Sequence, residues 1–401
     1  MNNTDNFFEN NLFRFENAPC DCVIDTKNIA PGQPPETTIK IQAINENKIQ
    51  FAFAPGVGLV RLGERGILSE GNLLGNLVSI KPGDIPTLFD YFKRNGFLFN
   101  VSDVGYEPIE TEQIFELIKR LRATVELLSA LGAIKKDYQK IFGLSLYLIL
   151  SEPIEISFST MTQPYITCKH SFFEKYQVAY NYPEPESFQQ EMYAEECITI
   201  PDTLINSPYK LDMQLYLSSL DGSGEEDILP GSSSNLFRQT VLLFSRAINE
   251  SLAVRRTTDL FFHYFYDIGI VKDVNENGEI EYYTENPNIK KITKDMKDRI
   301  IEIAKLVIGE EINANMSHVH PIYNADKMAP SWNVDTLLGG LYFSIFYMKP
   351  DLELFRCCRQ CGTYFSVKAT STRKVYCSDE CRNRYQQSMH RKRKREKEEN
   401  T

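Results

Sequence analysis

The sequence predicts an α+β protein with a helix-rich body, some β hairpins and a small cysteine-containing module at its C-terminal end. Three observations support this class. Long segments repeat apolar residues at helical spacing, shorter segments alternate as strands do, and two closely spaced cysteine pairs stand near the end. The chain has 401 residues, more than one hydrophobic core usually holds, so more than one domain is expected.

The helices are predicted from apolar spacing. The clearest covers 112–131, where Ile114, Leu117, Ile118, Leu121, Val125 and Leu128 share one face. Further helices are predicted at 85–95, 136–150, 235–266, 295–307 and 335–348. The last of these is apolar almost all round, which indicates a buried helix.

The strands are predicted from alternation and turn residues. Segments 38–44 and 48–53 alternate around a polar Asn45–Asn47 connection, which favours a hairpin. Residues 1–36 are polar with a Pro-Gly-rich cluster and are predicted to be an arm or loop. Strands are also expected at 154–159, 176–180 and, after an Asn-Gly turn, 279–283.

The cellular location of the protein is predicted from its N-terminal segment and from the length of its apolar segments. The start of the chain has neither the basic nor the apolar region of a secretion signal. The longest apolar stretches, Ile141–Leu150 and Leu337–Met348, fall short of the about 20 residues that a membrane helix needs. A cytoplasmic protein without membrane contact is expected. With no signal and an odd count of nine cysteines, a disulfide framework is not expected.

Four of the cysteines have the spacing of a metal site, Cys358-x2-Cys361-x15-Cys377-x3-Cys381. Zinc takes four thiolates at tetrahedral corners, and a fully occupied site is structural because no position remains for a catalytic water. We therefore predict one structural Zn²⁺. The neighbouring Cys357 leaves an alternative open, in which it replaces Cys358 as the ligand.

The segment between the pairs is predicted to be a hairpin of 364–367 and 374–376, joined by a turn through 368–372. Gly362 follows the first pair where a turn often needs positive φ. Ser378 is suited to cap a helix that would hold Cys381 in its first turn. The resulting unit would be a finger of zinc ribbon or treble-clef type over 351–401, after a body over 1–350.

Charge is distributed unevenly. Residues 356–401 hold 13 Lys/Arg and 5 Asp/Glu, a net +8, whereas the rest holds 31 and 49, a net −18. Such asymmetry is a signal for nucleic-acid binding. In the predicted helix, Tyr385 and Met389 fall on the side of Cys381. The basic candidates for nucleic-acid contact are Lys368, Arg373, Lys374, Arg382, Arg384, Arg391, Lys392, Arg393, Lys394 and Arg395.

The segment resembles a known family. Cys358-Arg-Gln-Cys361-Gly and Tyr376-Cys-Ser-Asp-Glu-Cys381-Arg-Asn-Arg384 are similar to the CGNR zinc finger of bacterial stress-induced transcription regulators, with Arg382 in place of the family's glycine. The resemblance implies roles for Asn383 and Arg384 in fixing the helix or contacting nucleic acid. It also implies an N-terminal, mostly helical regulatory or sensor domain, which would make about 135–285 an insertion.

These observations lead to a first hypothesis about function. The chain is expected to be a zinc-dependent nucleic-acid-binding protein, a bacterial transcription regulator that contacts DNA through its finger and basic helix. One finger covers little DNA, so a homodimer is attractive. The alternative is a zinc-stabilised protein interaction module that binds an acidic partner and has no direct role at DNA. The sequence shows no Walker lysine, dinucleotide loop or identifiable nucleophile with its base, and an enzyme is not expected.

Overall fold

The computed structural model describes most of the chain outside one long central gap. The described residues are 12–27, 36–45, 47–54, 58–63, 68–172, 240, 251–283, 285–317, 319–325, 328–371 and 373–399. The fold is a mixture of α-helices and several small β-sheets. The predicted strand at 176–180 and the first part of the helix predicted at 235–266 lie outside the described residues.

The helices confirm most of the predicted ones, with boundaries moved by a few residues. They are α1 (Leu73–Val78), α2 (Ile85–Asn95), α3 (Thr111–Gly132), α4 (Tyr138–Leu150), α5 (Leu252–Asp267), α6 (Lys294–Asn315), α7 (Leu337–Phe346) and α8 (Asp379–Glu399). Helix α6 is longer than the 295–307 expected, because apolar residues such as Ile308 continue its buried face.

The strands are short. They are β1 (Phe13–Asn17), β2 (Cys20–Lys27), β3 (Glu36–Ala43), β4 (Ile49–Ala54), β5 (Gly58–Leu62), β6 (Leu68–Glu70), β7 (Glu107–Glu110), β8 (Glu155–Ile156), β9 (Tyr165–Ile166), β10 (Val271–Val274), β11 (Ile280–Tyr282), β12 (His320–Asn324), β13 (Ala329–Asn333), β14 (Glu353–Cys357) and β15 (Tyr364–Lys368). The strand predicted at 154–159 is reduced to the two residues of β8, and β11 confirms the strand predicted at 279–283.

Residue contacts divide the chain into two compact units. The first comprises Met1–Ile134, Pro153–Cys168 and Glu311–Thr401, and the second comprises Lys135–Glu152 and Lys169–Glu310. The predicted division into a 1–350 body and a 351–401 finger, with an insertion over about 135–285, stays a prediction.

The two largest of the described sheets lie in the first unit and are antiparallel, with the orders β1-β4-β5-β6 and β2-β3-β7. In the first sheet, Phe13 is paired with Phe53, and their rings stack at 5.6 Å between centroids. Helix α7 packs on this sheet through Phe343, whose ring meets both phenylalanines edge-on at 4.9 Å. The nearly all-apolar sequence of α7 thereby becomes core, as its pattern predicted.

The hairpin predicted for 38–53 is wrong, although both of its strands exist. Strand β3 pairs with β2 and β7, whereas β4 pairs with β1 and β5, so the two strands belong to different sheets. One partner of each strand, β2 for β3 and β1 for β4, comes from the N-terminal segment that was predicted to be an arm or loop. Its β1 buries Phe13 and its β2 buries Cys20, and this burial outweighs the polar composition around them.

Helix α3 joins the elements of the first unit. Arg122 is buried, and its guanidinium donates hydrogen bonds to the carbonyls of Val78 (2.6 Å) and Ile80 (2.5 Å) at the C-terminal end of α1. A cation suits this end of a helix, where carbonyls lack partners. The equally buried Arg120 pairs with Glu311 at 2.5 Å and donates to the carbonyl of Cys168.

The second unit, described here by itself, has an aromatic core. The ring of Phe142 on α4 lies 4.1 Å from that of Tyr264 and 5.5 Å from that of Phe261, both on α5. The β10–β11 hairpin packs on α4 at Gly143, where a side chain would collide with the carbonyl of Gly278. Gly278 itself has φ +75°, as the predicted Asn-Gly turn requires.

We predict that Gly143→Ala lowers the free energy of unfolding by about 1–3 kcal/mol, because a Cβ at this position meets backbone that cannot move aside. Gly309→Ala is the matched control in α6, where a Cβ finds open space and helix propensity adds up to about 1 kcal/mol of stability. Urea denaturation followed by circular dichroism measures both. Equal stabilities of the two variants would contradict the close approach of α4 to the β10–β11 turn.

Candidate metal centre

The C-terminal module, residues 353–399, begins with an antiparallel hairpin whose tip carries the first cysteine pair. Strands β14 and β15 pair from Glu353 with Lys368 to Cys357 with Tyr364. The loop beyond the last pair is closed by backbone bonds from Cys358 N to Thr363 O and from Gly362 N to Cys358 O, both 2.9 Å. Gly362 has φ +76°, as its place in the turn predicted.

The second pair lies at the start of α8. Cys377 precedes the helix, and Cys381 lies in its first turn. The hydroxyl of Ser378 accepts a hydrogen bond from the Cys381 N–H at 3.2 Å, which is the capping role predicted for it. Both cysteines of this pair therefore lie at the N-terminal end of α8, where the helix dipole favours negative charge.

The structure brings these four cysteines together. The Sγ atoms of Cys358, Cys361, Cys377 and Cys381 all lie within 4.8 Å of one another. The Cys377 sulfur is 3.6 Å from that of Cys361 and 3.5 Å from that of Cys381. A tetrahedral ion with metal–sulfur bonds of about 2.3 Å would set neighbouring sulfurs about 3.8 Å apart. The cluster can therefore hold a metal ion with little movement.

Cys357 stays outside this cluster, although the sequence left it open as a replacement for Cys358. It is the last residue of β14 and is exposed. Its thiol contacts the carbonyl of Gly362 at 3.3 Å instead of a sulfur. Cys358 follows the strand and is buried, and its sulfur is the one that lies with the second pair.

The cysteines of the cluster differ in the pKa values of their thiols. Burial raises the pKa of the Cys358 thiol, but backbone N–H groups of Cys361, Cys377 and Gln360 stabilise its thiolate more strongly and lower the pKa to about 6. Burial and hydrogen bonds with neighbouring sulfurs raise the pKa of Cys377. Once one thiolate has formed, further negative charge is costly without a cation, so metal binding would release protons.

The apolar core of the module is small. Leu354, Phe365, Val367 and Ala369 form it together with the buried Cys358 and Cys381. Tyr376 packs against this core, and its ring lies 5.4 Å from that of Tyr385 on α8. The contact confirms that Tyr385 faces the module, and Met389 is half-buried on the same side.

The predicted hairpin of 364–367 with 374–376 is wrong in its second strand. Strand β15 is present, but its partner is β14, from the N-terminal side. Residues 373–376 form no strand, and the Arg356 guanidinium donates to the carbonyls of Ser371 (2.7 Å) and Lys374 (3.0 Å). Sequence reasoning placed both strands between the two cysteine pairs and so missed the strand that precedes the first pair.

The hairpin is fastened to α1 and α3 of the first unit by hydrogen bonds at Tyr364. Its N–H donates to the Ser79 hydroxyl at 2.7 Å, its carbonyl accepts from Asn72 Nδ2 at 2.8 Å, and its phenol donates to the Glu126 carboxylate. The Phe355 N–H donates to the Ser129 hydroxyl at 3.0 Å. No sequence motif marks these residues, and sequence reasoning missed them.

The basic residues predicted to contact nucleic acid lie on three parts of the module: β15, the connection that follows it, and α8. Lys368 ends β15, Arg373 and Lys374 lie in the connection to α8, and Lys374 Nζ sits 5.6 Å from the Phe365 ring centroid. Of the predicted contact residues on α8, those with exposed side chains are Arg382, Asn383, Arg384, Arg391, Lys392 and Arg393. The side chains of Lys394 and Arg395 lie outside the described part. Arg382 forms an ion pair with Asp379 at 3.3 Å.

Comparison with known proteins does not identify the chain: no protein family, curated protein or solved structure matches it. The similarity to the CGNR zinc finger therefore stays a resemblance. Among the described helices, none is both long enough and apolar enough to cross a membrane.

We predict that Cys358→Ser releases metal at a chelator concentration at which the unaltered protein and Cys357→Ser both keep about one ion per chain. The reason is geometric, since the sulfur of Cys358 belongs to the cluster and that of Cys357 does not. Competition with a colorimetric chelator measures the bound metal. Equal metal loss from the two variants, or loss from Cys357→Ser alone, would show that the ligand set is wrong.

Proposed function

We propose that this chain is a zinc-dependent DNA-binding protein, a bacterial cytoplasmic transcription regulator without enzymatic activity. One observation carries the proposal. A helix that begins at a four-cysteine cluster displays a series of exposed basic side chains. The proposal assigns the metal a structural role and the helix a binding role.

Zinc is the metal that this donor set suits best. Four cysteine sulfurs in a compact group are soft ligands, which favour zinc over the hard cations calcium and magnesium. All four positions are filled by protein, so the ion would fold the module and leave no place for a reacting water. A small core and clustered thiolates that repel one another explain why the module needs the ion.

The basic helix supplies the contact with DNA. Tyr385 and Met389 occupy the side of α8 that faces the module, which leaves Arg384 and the Arg391–Arg393 run exposed. A helix of this kind fits the major groove, which is about 12 Å wide, or lies along the phosphates. Lys368 and Arg373 are exposed on the same module and would add phosphate contacts.

The resemblance to CGNR fingers supports a regulator. In that reading Asn383 and Arg384 contact nucleic acid, and the residues before the module sense a signal. Both side chains are exposed on α8, which favours contact with a ligand over a role inside the module. One helix covers only part of a site, so a homodimer on two half-sites is proposed.

We predict that the triple variant Arg391→Gln, Lys392→Gln, Arg393→Gln binds duplex DNA more weakly than the unaltered protein. If all three residues neutralise phosphates, the slope of log K against log salt becomes less negative by about 2.7. Fluorescence anisotropy of labelled DNA across a salt series, with zinc-loaded protein, measures the slope.

The matched control is Lys290→Gln, Lys291→Gln, Lys294→Gln, which removes the same charge from exposed residues outside the module. It should leave the slope unchanged. Equal weakening by both variants would mean that DNA responds to net charge alone. No binding at low salt by fully zinc-loaded protein would reject the DNA role and favour the alternative, a module that binds an acidic protein through the same helix.

A further inference from the structure

A cavity of about 280 Å³ lies in the first unit beside the N-terminal end of α7. Thr336, Leu338 and Gly339 line it from the start of this helix, and Phe99 and Tyr165 line it from two other segments. We call it the α7 cavity. None of its lining residues belongs to the C-terminal module, so the cysteine cluster and basic helix give no account of it.

The floor of the α7 cavity is aromatic and fixed. The ring centroids of Phe99 and Tyr165 are 4.9 Å apart, with an angle of 51° between the ring planes. Phe99 is buried, and the Tyr165 hydroxyl donates to Asn315 Oδ1 at 2.5 Å. The Asn315 amide in turn donates to the carbonyl of Glu311 at 2.8 Å. An apolar floor held in this way can pack against the C–H face of a ring compound without rearranging.

The rim of the α7 cavity carries polar side chains that can form further hydrogen bonds. The side chains of Asn100, Thr162 and Gln163 are exposed and make no hydrogen bond to the part of the chain that the structure describes. Asp335 accepts one bond, from Asn333 Nδ2 at 3.2 Å, and a carboxylate can accept more. Two amides, a hydroxyl and a carboxylate therefore surround an apolar floor.

The charge of the α7 cavity selects against anions. Asp335 is the one charged side chain among the lining residues, and no lysine, arginine or histidine accompanies it. A phosphate or carboxylate ligand would meet repulsion with no compensating cation. Ligand hydroxyl groups both donate and accept hydrogen bonds, which matches amides and a carboxylate side by side.

We propose that the α7 cavity binds a neutral, polyhydroxylated ring compound of monosaccharide size. The volume lies just below the roughly 300 Å³ at which pockets for drug-sized molecules begin, so one sugar ring fits and a longer chain would extend into solvent. Binding at this site requires neither zinc nor DNA, and the proposal stands apart from the function proposed for the module.

The test is saturation-transfer difference NMR on the full-length protein with glucose, galactose, N-acetylglucosamine and ribose, each at up to ~10 mM to reach millimolar affinities. Thr162→Ala with Gln163→Ala removes two exposed rim groups without touching the floor. We expect this double variant to weaken binding about tenfold. Gln386→Ala with Ser388→Ala, also exposed but on α8, is the control and should bind as the unaltered protein does.

Each outcome of this experiment either supports or overturns the proposed sugar site. A signal from at least one sugar, whose titration moves to about tenfold higher sugar concentration in the rim variant and is unchanged in the control, supports the site. No signal from any of the four sugars overturns the proposal, and so does a signal that the rim variant leaves unchanged. Tighter binding of glucose 6-phosphate than of glucose would also overturn it, because the charge of Asp335 predicts the reverse order.

Discussion

The register of the β14–β15 hairpin determines how the C-terminal module is both attached and assembled. Pairing of Cys357 with Tyr364 sets Tyr364 against α1 and α3, where its backbone N–H, its carbonyl and its phenol are all bonded. The same pairing starts the loop at Cys358, whose sulfur turns towards the second cysteine pair. A shift by one residue would reverse both faces of each strand, exposing the Phe365 side of the core and withdrawing Cys358.

The surface that contacts the hairpin depends on a glycine of α1 and on an arginine that holds this helix in place. Gly75 on α1 lies so close to the carbonyl of Tyr364 that a Cβ would collide with it, so the approach depends on the absence of a side chain. Arg122 holds the C-terminal end of α1 on α3 through two carbonyls. Burying a guanidinium is costly unless it is hydrogen-bonded, so these bonds make α1 a defined platform for the module.

Features that depend on residues close together in the sequence could be predicted, and features that depend on distant residues could not. The four cysteines, the Ser378 cap and Gly362 were predictable because each depends on neighbours a few residues away. Helices α2, α3 and α4 were predictable because one apolar face repeats along each of them. The sequence could not say that β3 and β4 enter different sheets, since alternation reveals a strand and its faces without naming its partner.

The same limit explains the error inside the module and the residues that were missed. Strand β14 was overlooked because the Cys358–Cys361 segment was interpreted only as a loop that holds metal ligands. The same segment is also the turn that joins β14 to β15. Asn72, Ser79 and Ser129 are ordinary polar residues in sequence. Their importance comes from backbone groups of Tyr364 and Phe355, more than 200 residues further along the chain.

Helix α8 packs on the rest of the module near its start, through Cys381 and Tyr385. Its 21 residues extend for about 31 Å from the cysteine cluster. Tyr385 and Met389 steady the first turns, whereas the basic run begins beyond them. A tilt of about 10° at the first turn would displace the far end by about 5 Å, comparable to the rise of one and a half base pairs. Small changes in the positions of the sulfurs at the start of α8 therefore produce a larger displacement of its C-terminal end.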